Sequence, residues 1–198
     1  LVVVYAYFAQ DLPNPQAIAS ARENFRTSRI FDHTGEIVLQ DVIDPFGGDR
    51  QWMTLSEIPD HLEWATIAIE DSTFYENPGF DLWGMGRALW NNFTGGYVQG
   101  ASTITQQLVK QVIFDPETAA EVSMERKIRE IILATEISRT YSKPQILEWY
   151  LNTIFYGNNA YGVEAAAQVY FGKSVRDVTM AEAAMLAAIP QSPGLTPA

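Results

Sequence analysis

The sequence has no cysteine, which excludes thiol nucleophiles, disulfides and thiolate metal sites and leaves the compartment open. It has two histidines, His33 and His61, and two do not make a multi-histidine metal centre. Cations are scarce: 13 Lys and Arg stand against 24 Asp and Glu, a net charge of −11 at pH 7. That balance argues against a nucleic-acid binder. Any polyanion site must gather its cations locally, and Lys110, Arg126 and Lys127 are the ones to follow. The sequence holds no Gly-x-x-x-x-Gly-Lys loop and no dinucleotide fingerprint.

What is present suits one globular domain: 198 residues, 47% hydrophobic and 19% charged. Residues 1–9 are apolar and would reach about 14 Å as a helix, roughly half a bilayer core. They read either as the outer end of an anchor, with tyrosines at the interface, or as a buried first strand favoured by three valines. Residues 28–31 and 36–39 flank Asp32-His33-Thr34-Gly35, which predicts a β-hairpin with His33 exposed in its turn. Residues 50–53 are expected to join it as a third extended piece. The hairpin and the stretch before it, residues 11–53, would then link to a main domain over 54–198.

That domain reads as helices. Thr54-Leu55-Ser56-Glu57 is a capping box, and with Pro59 it predicts a helix from about His61 to Glu70. A helix over 81–93 carries Leu82, Met85, Leu89 and Phe93 on one side, widened by Phe80, Trp83 and Trp90. So broad a surface fits the core or a membrane face. Thr118 and Glu121 predict the start of a long helix running past Glu136 and burying Ile128, Ile131, Ile132 and Thr135. Ser142 with Gln145, and Thr179 with Glu182, predict helices over 146–152 and 183–189.

Two stretches carry chemistry. Glu70 and Asp71 follow an apolar run and precede Phe74 and the turn Asn77-Pro78-Gly79. Burial raises a glutamate pKa and cations lower it, so this is a place for a tuned general base; it also fits a helix ending in surface acids. Further on, Gly95, Gly96 and Gly100 lead into Ser102, Thr103, Thr105, Gln106, Gln107 and Lys110. On a helix Thr103, Gln107 and Lys110 form a polar stripe beside Ile104, Leu108 and Val112. Hydroxyls and free N–H groups at the helix start suit an anionic ligand, though an ordinary capped amphipathic helix has the same pattern. Arg126, Lys127 and Glu130, taken alone, read as routine helical ion pairing.

Together these stretches resemble the signature motifs of the peptidoglycan glycosyltransferases, family 51, found in class A penicillin-binding proteins and monofunctional transglycosylases. The family's Glu-Asp-x-x-Phe-x-x-His-x-Gly is met by Glu70, Asp71, Phe74 and Gly79, with Asn77 in place of the histidine. Its Gly-x-Ser-Thr-Ile-Thr-Gln-Gln-Leu-x-Lys-Asn is met from Gly100 to Lys110, with Gln111 in place of the asparagine. Arg126, Lys127, Glu130 and Ala134 reproduce the third motif. Lys143, Ile146, Leu147, Glu148, Tyr150, Leu151, Asn152 and Gly157 reproduce the fourth, and residues 161–173 resemble a fifth.

The resemblance implies a mainly α (α+β) fold: a lysozyme-like helical domain with a small N-terminal β-hairpin element and a membrane-proximal lobe. It favours the anchor reading of residues 1–10 and a helical domain that continues past residue 198, with room for a C-terminal transpeptidase domain. The implied activity is polymerisation of lipid II into glycan strands by inverting transfer, on the extracytoplasmic face of the plasma membrane, with undecaprenyl pyrophosphate leaving. Glu70 would be the base and Glu130 the second functional glutamate, orienting cations or leaving group. Lys110, Arg126 and Lys127 would hold the pyrophosphate. Asp71, Phe74, Ser102, Thr103, Gln107, Tyr150 and Asn152 would bind substrate, Asp71 also orienting the surroundings of Glu70. No cofactor is required, with Mg or Mn admissible at the pyrophosphate. Phosphoglycolipid inhibitors such as moenomycin are expected to bind, less tightly because residues 115–123 lack Lys and Arg. A lysozyme-like glycan-cleaving enzyme and an inactive cell-wall scaffold are the alternatives.

Overall fold

Capping side chains decide where most of the helices begin. The structure, a computed structural model, describes residues 28–42, 49–94 and 102–191. The expected anchor at 1–10 and the glycines at 95, 96 and 100 lie outside the described residues.

Strands β1 (Ser28–Phe31) and β2 (Val38–Val42) form the antiparallel hairpin. Its turn is organised by Asp32, whose carboxylate accepts from Thr34 Oγ1 at 2.7 Å and from the Glu36 and Ile37 amides at 3.2 Å. The third extended piece does not join it. Strand β3 (Asp49–Arg50) pairs in parallel with β4 (Ala160–Tyr161), which follows the helix that holds residues 52–55. There Asn152 Oδ1 accepts the Met53 amide at 2.7 Å, and its Nδ2 donates to Met53 O at 2.8 Å and Glu148 O at 2.7 Å. Glu148 adds bonds from Trp52 Nε1 and the Leu55 amide, both 3.0 Å. Replacing Asn152 by Ala strands both polar groups of buried Met53. We expect a loss of about 2–4 kcal/mol, seen as a melting temperature roughly 5–15 °C lower.

Helix α1 (Asp60–Glu70) starts at Pro59; the capping box at Thr54 closes a separate 3₁₀ turn, Leu55–Glu57. Helix α2 is Leu82–Thr94, and α3 (Ile104–Val112) begins at a capping box between Thr103 and Gln106. The long helix does not start at Thr118. Asp115, with Pro116 at the first helical position, caps a short α4 (Pro116–Ala120), and Thr118 lies inside it. Glu121 leaves the helical region at φ −61 and ψ 136, so Ser123 caps a new helix, α5 (Met124–Thr140). Then follow α6 (Lys143–Thr153), α7 (Val163–Phe171) and α8 (Met180–Ala188), with boxes at Ser142 and Thr179 as the sequence predicts.

Helix α3 packs against both α5 and α6, and α1 packs against α8. Leu62, Phe74, Ile104, Leu108, Leu133, Ile137, Ile146, Leu147 and Leu151 form the fully buried centre. The face of α5 is rotated from the expected one: Glu130, Ile132, Leu133, Ala134 and Ile137 are buried, whereas Ile128, Ile131 and Thr135 are half-buried. On that buried face Gly79, at φ +104, packs so tightly on α5 that a Cβ would lie 2.3 Å from the Ala134 carbonyl oxygen, an approach that a short-range pattern in α5 does not announce. Helix α2 turns Leu82, Trp83 and Trp90 outward, at 68%, 89% and 69% exposure, rather than into the core. Among the described residues no helix is long and apolar enough to cross a membrane.

Candidate active site

Glu70 is the last residue of α1 and Asp71 its C-cap, and the two adjacent carboxylates meet different fates. Asp71 turns inward at φ −161 and accepts Asn77 Nδ2 on both oxygens at 2.9 and 3.0 Å, the Ile104 amide at 3.2 Å and Thr73 Oγ1 at 3.2 Å. The Ile104 amide is one of the free N–H groups at the start of α3, so the carboxylate also answers that helix's dipole. Burial still raises the Asp71 pKa against these bonds.

Among the described residues Glu70 has one side-chain partner. Its Oε2 accepts Gln107 Nε2 at 2.7 Å, while Oε1 is buried without a hydrogen bond among the described residues. Burial raises its pKa, the Gln107 bond opposes this, and the neighbouring Asp71 charge adds to it. Gln107 is held in that orientation because Tyr150 Oη donates to its Oε1 at 3.1 Å. Burial and the Glu70 charge push the Tyr150 phenol well above its ordinary value, so it stays a donor.

A second cluster lies where α5 begins. Arg126 and Lys127 both bond Glu130, whose side chain is 2% exposed against 13% and 25% for the cations. Lys127 Nζ also donates to Ser102 Oγ at 2.8 Å, joining the entry of α3 to the first turn of α5. Arg126 Nε donates to Glu121 O at 2.7 Å. Lys110 is not part of this group. It is exposed in the last turn of α3, at the opposite end of that helix from Ser102 and one turn beyond Gln107. The cations therefore bracket the level of Glu70 on α3 from two ends.

The remaining candidates are buried within the protein. Phe74 is fully buried, Thr103 donates to Gly79 O at 2.7 Å, and the Asn152 amide is committed to Met53 and Glu148. Sequence reasoning assigned Asn77 a turn-shaping part; its amide also grips Asp71, and its Oδ1 accepts the Gly79 amide at 3.0 Å. Lys143 was read only as a motif residue. It donates to Asn77 O at 2.7 Å, lies 4.7 Å over the Phe74 ring, and offsets part of the Asp71 charge. Among the described residues no group of three His, Asp or Glu is arranged to hold a metal ion.

Comparison with known proteins identifies the family. A family model described as Transglycosylase matches residues 38–198. Penicillin-binding protein 1A of Mycobacterium tuberculosis is 42% identical over 188 residues, covering 95% of this chain and 22% of that protein. Penicillin-binding protein 1A of Rickettsia felis is 43% identical over 195 residues, 96% of this chain and 23% of its own length. Penicillin-binding protein 1F of Bacillus subtilis is 40% identical over 168 residues, 84% and 22%. The chain thus spans less than a quarter of the curated relatives it matches.

Proposed function

Since the chain belongs to the transglycosylase family of the penicillin-binding proteins, we propose that it is a peptidoglycan glycosyltransferase polymerising lipid II. The observation that carries this reading is the division of labour at the end of α1: Asp71 is saturated by donors, and Glu70 keeps one oxygen for a proton. The acceptor sugar's 4-hydroxyl gives its proton to Glu70 as its oxygen bonds the donor's anomeric carbon. The carbon–oxygen bond to the lipid pyrophosphate breaks on the opposite face, with inversion. A base with a raised pKa binds that proton readily, and a buried setting sharpens its pull.

The departing pyrophosphate would meet Arg126 and Lys127, which Glu130 and Ser102 hold in place, with Lys110 reaching the site from the other end of α3. A Mg or Mn ion, when recruited, would be held mainly by the pyrophosphate oxygens. The outward Leu82, Trp83 and Trp90 suit a lipid interface, which fits a lipid-linked donor at the outer face of the plasma membrane. In the longer protein an N-terminal anchor and a transpeptidase domain would flank this domain. Phosphoglycolipids that mimic the donor would compete for the same cations.

Labelled lipid II in detergent micelles is the test, with Lys110→Ala beside the unchanged chain. Polymer should form with the latter and fall about 10- to 100-fold with the former, since one charge-assisted contact to the leaving group is lost. Cleavage of finished glycan that is indifferent to Lys110 would support the lysozyme-like alternative instead.

A further inference from the structure

Each of the adjacent carboxylates at the end of α1 is held by a side-chain amide, and both amides answer to α6. On one side Tyr150 Oη donates to Gln107 Oε1, which leaves Gln107 Nε2 for Glu70. On the other, Lys143 Nζ donates to Asn77 O at 2.7 Å and to Asn77 Oδ1 at 3.3 Å, which leaves Asn77 Nδ2 for Asp71. Lys143 opens α6 and Tyr150 follows two turns later on the same stripe of the helix.

An asparagine amide fits the same space turned end for end, and its neighbours decide which way it faces. Asn77 Oδ1 meets two donors, the Lys143 ammonium and the Gly79 amide at 3.0 Å. Its NH₂ meets acceptors, both Asp71 oxygens and Thr73 Oγ1 at 3.3 Å. The reverse orientation would set the NH₂ against an ammonium that has no lone pair and the carbonyl oxygen against a carboxylate. Asn77 is 8% exposed and Asp71 7%, so water does not compensate a wrong orientation. Lys143 is itself steadied by the fully buried Phe74 ring beneath it, 4.7 Å to the centroid.

Asp71, gripped in this way, accepts the Ile104 amide, and Gly79 O accepts Thr103 Oγ1. The turn after α1 thus clasps the entry of α3 at two points. Gln107 lies one turn further along, its amide bonded to Thr103 O at 3.0 Å. How the entry of α3 sits on that turn therefore sets where Gln107 meets Glu70.

We propose that Lys143 is a positioning residue for Glu70: it fixes the Asn77 amide, which holds Asp71 on the start of α3 and so sets the register in which Gln107 reaches Glu70. The proposal rests on the reading of Glu70 as the base. Helix α6 then aims both carboxylates, Asp71 through Asn77 and Glu70 through Gln107.

Lys143→Met tests it, since methionine keeps an unbranched stem over Phe74 and removes the donor. Assayed well below its melting temperature, the variant should polymerise labelled lipid II with kcat about 10-fold lower and KM within about twofold, because the base is misaimed while substrate contacts remain. Lys143→Arg, which still donates to Asn77, should recover most of the rate. A folded Lys143→Met protein with unchanged kcat overturns the proposal. The route is read from a double-mutant cycle. In Gln107→Ala, where Glu70 has lost the amide that the register serves, Lys143→Met should cost less than about twofold, and a 10-fold loss in both backgrounds overturns the proposal. Hydrogen exchange gives a reading without lipid II. In Lys143→Met the Ile104 and Gly79 amides should exchange about 10-fold faster while those in the last turn of α6 keep their rates; a rise everywhere, or nowhere, overturns it. In the unchanged chain the Asn77 Nδ2 protons should exchange more slowly than those of exposed Asn158, and equal rates refute the clasp without any variant. If the amides respond as expected and the unchanged chain makes no polymer, the clasp stands and the glycosyltransferase reading falls.

Discussion

Glu70→Gln should lower polymerisation at least about 100-fold and make the fold more stable, two effects with one cause. The amide keeps the size of the side chain and an oxygen for Gln107 Nε2, so α1 and α3 remain joined. It cannot accept a proton, so the attacking hydroxyl loses its base. The stability gain follows from the sign of the pKa shift. Burial raises the Glu70 pKa in the folded chain, so between its unfolded and folded values the native state holds more protons than the unfolded one. Stability of the unchanged protein therefore falls as pH rises through that window and stays lower above it. The Gln variant escapes this, so its melting temperature should match the unchanged protein near pH 4 and exceed it at pH 8. Glu63, pushed up to about 7 by burial and by Asp60, titrates on the same helix. Making the comparison in a Glu63→Gln background removes its contribution. Equal polymerisation by both proteins would take Glu70 out of the mechanism.

How much of this was legible in the sequence depended on whether the signal was local. The boxes at Ser142 and Thr179 cap helices as read because each is complete within four residues, whereas Thr103, read as part of the helix's polar stripe, turns out to be the cap itself, boxed with Gln106. The box at Thr118 failed for a local reason too: Asp115 followed by proline is a stronger start, three residues earlier. Strand β3 went to the wrong partner because its pairing is fixed from Asn152, about a hundred residues on, and no short-range pattern carries that. The rotated face of α5 is the same case, for the glycine packed on it comes from residue 79, far outside the helix's own pattern. At the site, motif spacing identified Glu70, Arg126, Lys127 and Glu130 as candidates but could not place Lys110 at the far end of α3 from Lys127. Nor could it separate the two roles of the Glu70-Asp71 pair, which depend on which oxygen meets Asn77 and the Ile104 amide.

Glu130 should prove essential to the fold as well as to turnover, and the two losses can be separated. Its carboxylate is nearly sealed off and receives Arg126 and Lys127 from its own helix. Glu130→Ala removes the shared partner of two cations that are themselves mostly covered. Breaking a buried pair this way costs about 3–5 kcal/mol, and the partial exposure of both cations brings the expectation to about 2–4 kcal/mol. In Glu130→Gln the amide oxygen still accepts from one cation while its NH₂ faces the other, so the fold should lose less. Arg126 and Lys127 then carry two uncompensated charges where the trio carried one. Inorganic pyrophosphate should accordingly inhibit Glu130→Gln more tightly, while kcat falls about 10- to 100-fold because the cations are no longer aimed and the product leaves slowly. The acid limb of the pH profile should stay where Glu70 puts it. A Glu130→Gln protein that loses a limb of the profile with pyrophosphate affinity unchanged would instead make Glu130 a proton donor or acceptor, and the cation-orienting role would go.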